Sequence, residues 1–437
     1  MVDLGAWQQR LAGLSPCDIR GRVTDVTGLL IRARVPGVRL GELCTIHTPR
    51  VAQPVSAEVV GFRGSEVHLM ALGEMEGIGP DSRVSPDGRT LRVPVGDGLL
   101  GRVLDGLGRP MDDLGPLRDL AGLGRAVDGA PPEPMRRRAI ERPLSVGVRA
   151  VDACLTLGEG QRVGIFAGAG HGKSTLLAMM ARNTAADINV IALVGERGRE
   201  VLDFLRESLG EDGLARSVVV VATSDQPSLI RLKAAYVATA IAESFRDQGR
   251  RVLFLMDSVT RFARAQREAG LAAGEPPARN GFPPSVFAVL PRLLERTGNA
   301  ERGSVTALYT VLVEDDELND PIAEEVRSIL DGHIVLTSSL AARGHYPAID
   351  LLKSTSRLFS RLAVIDQEER ALRLRGLLAA YDKHADLIHI GAYQEGSEPE
   401  VDEYLARRAR IDAFLRQRPD EPSDLDGALT GLAETVA

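Results

Sequence analysis

The run Gly168-Ala-Gly-His-Gly-Lys173-Ser174-Thr175 constrains this chain more than any other stretch. It follows the apolar segment Val163–Phe166 and opens a helical pattern over Leu176–Arg182, the context that a phosphate-binding loop requires. Glycines let backbone N–H groups turn inward around phosphate oxygens, and the helix N-terminus adds a partial positive charge. Gly168, Ala169, Gly170, His171, Gly172, Lys173, Ser174 and Thr175 are therefore expected around a nucleotide's phosphates. Lys173 is expected to reach the β- and γ-phosphates, and the Ser174 hydroxyl to ligate Mg²⁺. One position departs from the pattern G-x-x-x-x-G-K-S/T: Ala167 stands at its first glycine, where a small residue still fits. His171 is unusual in such a loop, and an exposed, non-catalytic side chain is expected there.

Two further segments fit an ATP-hydrolysing site. Val252-Leu-Phe-Leu-Met-Asp257 is an apolar strand ending in an acid, so Asp257 is expected to hold Mg²⁺ through water. Val194-Gly-Glu196-Arg197-Gly-Arg199-Glu200 also follows an apolar run. On spacing alone, Glu196 either polarises an attacking water or solvates the end of a strand.

The surrounding pattern is α/β. Apolar runs at Val163–Phe166, Val190–Val194, Val218–Ala222, Val252–Met256, Val305–Val313 and Ile334–Thr337 alternate with helical stretches such as Ser228–Phe245. That alternation predicts a parallel sheet covered on both faces, with ligands at the carboxyl ends of its strands. Before it, residues 19–95 read as short β-branched strands cut by Pro36-Gly37, Arg63-Gly64 and Pro86-Asp87-Gly88, as in a small all-β barrel. The glycine- and proline-rich stretch Val95–Ala130, followed by Arg136-Arg137-Arg138, reads as a linker; the triple arginine as a nucleic-acid patch is the alternative. After Val364 the chain turns charged and helical, with Val401, Leu405, Ile411 and Leu415 on one face and breaks at Gly391 and Pro399.

Composition narrows the partners. The net charge is −7 and aromatics are only 4%, which disfavours nucleic acid held by charge or by stacking platforms. Three scattered cysteines, Cys17, Cys44 and Cys154, form neither a disulfide framework nor a metal spacing, as suits a reducing compartment. The first residues lack the features of a secretory signal, and no run of about 18 apolar residues occurs. A cytoplasmic protein is expected, brought to any membrane by partners.

Several runs together resemble the ATP synthase catalytic subunits, and within that family the protein-export ATPases of type III secretion. They are Gly101-Arg-Val-Leu-Asp-Gly-Leu-Gly-Arg-Pro, Gly160-Gln-Arg-Val-Gly-Ile-Phe-Ala, Val194-Gly-Glu-Arg-Gly-Arg-Glu, Asp257-Ser-Val-Thr-Arg-Phe-Ala-Arg-Ala-Gln-Arg-Glu, Gly274-Glu-Pro-Pro-Ala, Gly281-Phe-Pro-Pro-Ser-Val-Phe, Gly303-Ser-Val-Thr-Ala-Leu-Tyr-Thr-Val-Leu-Val-Glu and His345-Tyr-Pro-Ala-Ile-Asp. The resemblance implies a β-barrel over 1–90, a RecA-like P-loop ATPase domain over 91–362 and a helical domain over 363–437. It makes Glu196 the group that activates water, puts Arg197 and Arg261 near the γ-phosphate, and makes Tyr346 the ring that packs on adenine. Arg357, in Ser354-Thr-Ser-Arg, matches the arginine finger that a neighbouring subunit inserts. It further implies ATP and Mg²⁺, a homohexamer, a central stalk protein, a peripheral stator and chaperone–cargo complexes at the inner membrane. The acidic run Glu314–Asp320 and the segment Gly274–Pro284 would line a central channel; a solvated turn and a rigid linker are the alternatives. Val35-Pro-Gly-Val-Arg-Leu-Gly-Glu-Leu-Cys44 looks like the injectisome branch, and Asp316-Glu-Leu-Asn-Asp-Pro321 like the flagellar one.

Overall fold

Closing a sheet of short strands on itself removes its unpaired edges, and the first unit of the chain does this. The computed structural model describes residues 20–49, 53–117, 124–313 and 320–437. The first unit runs to Leu91 and includes Leu271–Glu275. Its strands are β1 (Gly21–Thr27), β2 (Leu30–Arg34), β3 (Leu43–His47), β4 (Val55–Arg63), β5 (Glu66–Ala71) and β6 (Arg83–Pro86). They form a closed antiparallel barrel in the order β1-β2-β5-β4-β3-β6. The inward residues Val23, Ile31, Ala33, Ile46, Val59, Leu69 and Val84 make its core. In the β4–β5 hairpin Arg63 pairs with Glu66, and Gly64 supplies the positive φ of 62° that so tight a turn needs.

The second unit is built on a sheet in the order β14-β13-β8-β12-β11-β9-β10-β7. These strands are β7 (Val103–Asp105), β8 (Arg162–Ala167), β9 (Ile188–Glu196), β10 (Ser217–Thr223), β11 (Arg251–Asp257), β12 (Ser304–Leu312), β13 (Gly332–Leu336) and β14 (Ile349–Ser356). All neighbours are parallel except β14, which runs antiparallel to β13. Every residue of β9 is buried, as a strand covered on both faces must be.

Two edges correct the linear reading. β7 lies inside the stretch read as a linker, yet pairs with β10 through Val103, Leu104 and Asp105. Three residues among glycines carry too little periodicity to be seen. At the other edge β14 reads Ile-Asp-Leu-Leu-Lys-Ser-Thr-Ser, too polar to look like a sheet strand. The arginine cluster is also structural: Arg137 Nη1 donates to Thr297 O at 2.9 Å and Arg138 Nη2 to Gly303 O at 3.3 Å. Of the acidic run, Glu314–Asn319 lie outside the described residues; Asp320 caps the helix Pro321–Ile329, accepting from Ile322 and Ala323 N–H at 2.8 and 3.0 Å.

The helices that matter below are α1 (Arg149–Cys154), α2 (Lys173–Asn183), α3 (Ser228–Asp247), α4 (Val259–Ala272), α5 (Ile365–His389), α6 (Pro399–Leu415) and α7 (Leu425–Val436). The last three do not form a core of their own. Leu374 and Leu377 of α5, Ile411 and Phe414 of α6, and Leu432 of α7 join one cluster with Ile165, Leu176 and Leu336. Val401, Ile411 and Leu415 are buried on α6, and Leu405 is half-buried. The break between α5 and α6 holds Gly391 at φ 72° and Pro399 in the first turn of α6.

Candidate nucleotide site

β8 ends at Ala167, the loop Gly168–Gly172 turns over the sheet's carboxyl edge, and α2 begins at Lys173. Gly170 and Gly172 take φ of 82° and 81°, which other residues adopt only under strain. A Cβ on Gly172 would also stand 3.3 Å from Cδ1 and Cε1 of Tyr346. Tyr346 is 43% exposed, so its ring lies beside the loop with a face available to a base.

His171 is half-buried rather than exposed. Its ring folds back so closely that a Cβ on Gly168 would meet Cε1 at 2.6 Å. Its Nδ1 lies 3.1 Å from Gly168 N and 3.2 Å from Leu336 O. Unprotonated, Nδ1 accepts from Gly168; protonated, it donates to Leu336. One tautomer excludes the other.

Three strands bring the charged groups together. Lys173 Nζ lies 2.5 Å from Asp257 Oδ1, at the end of β11, and 3.6 Å from Glu196 Oε1, at the end of β9. Thr310 Oγ1, from β12, donates to the same Asp257 oxygen at 2.8 Å. Arg261, on α4, sets Nη2 3.3 Å from Glu196 Oε2 and donates through Nη1 to Gly195 O. Burial, first, and the nearby charge of Asp257 push the Glu196 carboxyl up to about 7, against the pull of Lys173 and Arg261. A hydrogen bond between Glu196 and Glu200 adds to this rise and holds Glu200 below the usual carboxylate range. Glu196 Oε1 is buried and has no hydrogen-bond partner.

Arg197 does not join this group. Its side chain is 76% exposed and pairs with Glu200 Oε1 at 3.2 Å. Arg357 is further removed. Ala167 aligns with Leu336 at the loop end of the sheet, whereas Ser356 aligns with Gly332, the first residue of β13. A rise of roughly 3.3 Å per residue puts about 13 Å of strand between those ends. Arg357 is exposed there and donates through Nη2 to Arg327 O at 3.2 Å.

Thr310 and Glu200 were not singled out from the sequence. A threonine near the carboxyl end of the apolar run Val305–Val313 was the available signal for Thr310. For Glu200 it was a second acid four residues after Glu196, in the first turn of a new helix.

The donor set suits a nucleotide with Mg²⁺. Among the described residues no group of three or more His, Cys, Asp or Glu could cage a metal. Mg²⁺ rarely uses such a cage; it keeps waters and takes one or two protein oxygens with phosphates. The exposed Ser174 hydroxyl and Asp257 at the strand end are of that kind.

Matches to known families cover the three parts. The ATP synthase alpha/beta family, beta-barrel domain, matches residues 23–88, and its nucleotide-binding domain residues 147–356. The T3SS EscN ATPase C-terminal domain matches residues 365–434. The type 3 secretion system ATPase of Xanthomonas euvesicatoria is 54% identical over 429 residues, 98% of this chain and 97% of its own length. The chain belongs to the type III secretion ATPases. Within this ATPase family the flagellum-specific ATP synthase of Bacillus subtilis (strain 168) is 52% identical, covering 94% of each chain. The assembled ATPase EscN of enteropathogenic E. coli superposes with a TM-score of 0.89 at 46% identity, over 95% of this chain and all of that one. EscN in complex with its central stalk EscO gives 0.88, with the same identity and coverage. The N-terminal barrel, central nucleotide-binding domain and C-terminal helices are thus the family's own architecture.

Proposed function

We propose that this type III secretion ATPase works as a homohexameric ring whose sites are completed across subunits, releasing export cargo from chaperones and unfolding it for translocation. The observation that carries this is the separation of Arg357 from the loop of its own chain, which leaves the finger free for a neighbour's site. The likeness to assembled EscN supports the ring.

Within one subunit, the Gly168–Thr175 amides and the N-terminus of α2 hold the phosphates. Lys173 exchanges Asp257 for phosphate oxygens. Mg²⁺ would be held at Ser174 and Asp257 and would supply charge neutralisation on the phosphates. Glu196 accepts the proton of the attacking water through Oε1, the oxygen that has no hydrogen-bond partner, while Arg261 fixes the other. Tyr346 packs on adenine. The Arg357 side chain of the partner subunit meets charge developing on the transferred phosphoryl group. Arg197, paired with Glu200 at the surface, turns inward only if that pair opens.

No helix among the described residues is long and apolar enough to cross a membrane. Association with the inner membrane is assigned to a central stalk of the kind EscO is for EscN, and to a stator. The flagellar export branch is the second reading, favoured by the Bacillus relative at 52% identity.

The test is ATPase rate per chain against protein concentration. Specific activity is expected to rise with concentration, and Arg357→Ala to abolish it while nucleotide still binds. Activity flat with concentration, and unaffected by Arg357→Ala, would overturn the shared site.

A further inference from the structure

Gln417 lies in the connection between α6 and α7, is 4% exposed, and hydrogen-bonds through its backbone N–H and both polar ends of its side chain. Its backbone N–H donates to Tyr346 O at 3.0 Å. Its side-chain Oε1 accepts from Arg149 N–H, the first residue of α1, at 2.9 Å. Its Nε2 donates to Gly147 O and to Glu421 O, each at 2.9 Å. The amide has one workable orientation, because a flip would set its oxygen against two carbonyls.

These partners bracket the phosphate-loop helix. At the start of α2, the Tyr346 ring lies against Gly172. At its end, Gly147 (φ 71°) packs so closely on Asn183 that a Cβ there would come within 2.1 Å. The connection around Gln417 is itself pinned. Arg149 pairs with Glu421, Arg149 Nε donates to Phe414 O at 3.2 Å, and Arg182 of α2 donates to Pro419 O. Beneath it the Asp152 carboxylate accepts from Val146 and Gly147 N–H at 2.9 and 3.0 Å.

We infer that Gln417 is a positioning residue that holds Tyr346 against the phosphate loop and ties that contact to helices α6 and α7. The inference rests on the reading of Tyr346 as the adenine contact. A base seated on Tyr346 then loads the Tyr346 carbonyl, and through it the connection whose ends are Leu415 of α6 and Leu425 of α7. The nucleotide is felt by the C-terminal helices without touching them.

Two measurements test this in the full-length protein. In a double-mutant cycle on KM for ATP, Gln417→Leu is expected to raise KM about tenfold, the effect falling on KM rather than kcat, and to add less than about twofold once Tyr346 is alanine. In nucleotide-free protein, hydrogen exchange of the peptide containing Tyr346 is expected to quicken at least about tenfold in Gln417→Leu, with β3 of the barrel unchanged. Multiplying KM effects, or unchanged exchange at Tyr346, would overturn the brace. Quickened exchange together with a Tyr346→Ala variant of normal KM would leave the brace standing and remove the adenine contact instead. Gln417→Glu keeps the acceptor for Arg149, loses both donations and gives the same signs should the leucine variant not fold.

Discussion

Glu196 Oε2 stands 3.3 Å from Arg261 Nη2, yet the carboxyl is pushed up to about 7. Burial outweighs the arginine, and the lysine is committed elsewhere: Lys173 is 2.5 Å from Asp257 but 3.6 Å from Glu196. A buried acid tuned close to neutrality is what a general base needs, since about half of it is ionised there and the ionised form accepts a proton readily.

Glu196→Gln is expected to lower kcat by roughly 10²–10⁴-fold while nucleotide binding survives. The same change should stabilise the fold. A carboxyl raised from 4.5 to about 7 contributes stability fully present below 4.5 and lost as pH rises through 7. Above that, the buried carboxylate is a net cost that glutamine removes. Thermal unfolding of the variant should therefore come a few degrees higher at about pH 8, the gap closing toward about pH 4.5. Calorimetry at the two pH values reads this directly.

The wild-type pH profile should carry the same group. A base must be unprotonated, so kcat/KM is expected to be full above the Glu196 value of about 7 and to fall as pH drops through it. The slope below should approach about tenfold per pH unit. An Arg261→Ala variant, having lost one cation that favours the carboxylate, should move the midpoint upward.

The phosphate loop was legible because its glycines and lysine are adjacent in sequence and obey a backbone rule. Asp257 and Glu196 were legible because each ends an apolar strand, and a parallel sheet gathers such ends at one edge. Thr310 was not, since a threonine inside a buried strand reads as a β-former until its neighbour is known. β7 failed for want of length, and β14 because an antiparallel edge strand can face solvent along part of its length. The arginines divided for a similar reason. Arg261 lies in the first turn of the helix that follows Asp257 directly, whereas Arg197 leads a surface helix and finds Glu200 first.

Arg357→Ala and Glu196→Gln should each be inactive alone, the finger variant down roughly 10³–10⁵-fold. Mixed together they should recover activity. A Glu196→Gln subunit still offers its arginine to a neighbour that retains Glu196, so random mixing in a ring makes about a quarter of the sites whole. The Arg357 side chain is exposed and donates only to Arg327 O among the hydrogen bonds described, so its loss should leave the melting temperature in place. Activity measured across mixing ratios checks this, and no recovery at any ratio would count against a shared site.

Arg296 and Glu243 make the most deeply buried ion pair described in the second unit, each side chain only 2% exposed. Arg296 Nε and Nη2 meet the two carboxylate oxygens at 2.8 Å each, and Nη1 donates to Val127 O at 2.9 Å. The pair ties α3 to the segment carrying Val127, far along the chain from both partners. Arg296→Met is expected to destabilise by about 3–5 kcal/mol, because it strands the Glu243 charge out of water. Arg125, 3.1 Å from Glu243 Oε2 but 32% exposed, can offset only part of that. Removing both charges, in Arg296→Met with Glu243→Leu, should recover most of the loss, since an apolar pair of similar volume carries no desolvation cost. Denaturant unfolding of the single and double variants decides it: a double variant as unstable as the single one would mean that the Val127 contact, not the stranded charge, sets the cost.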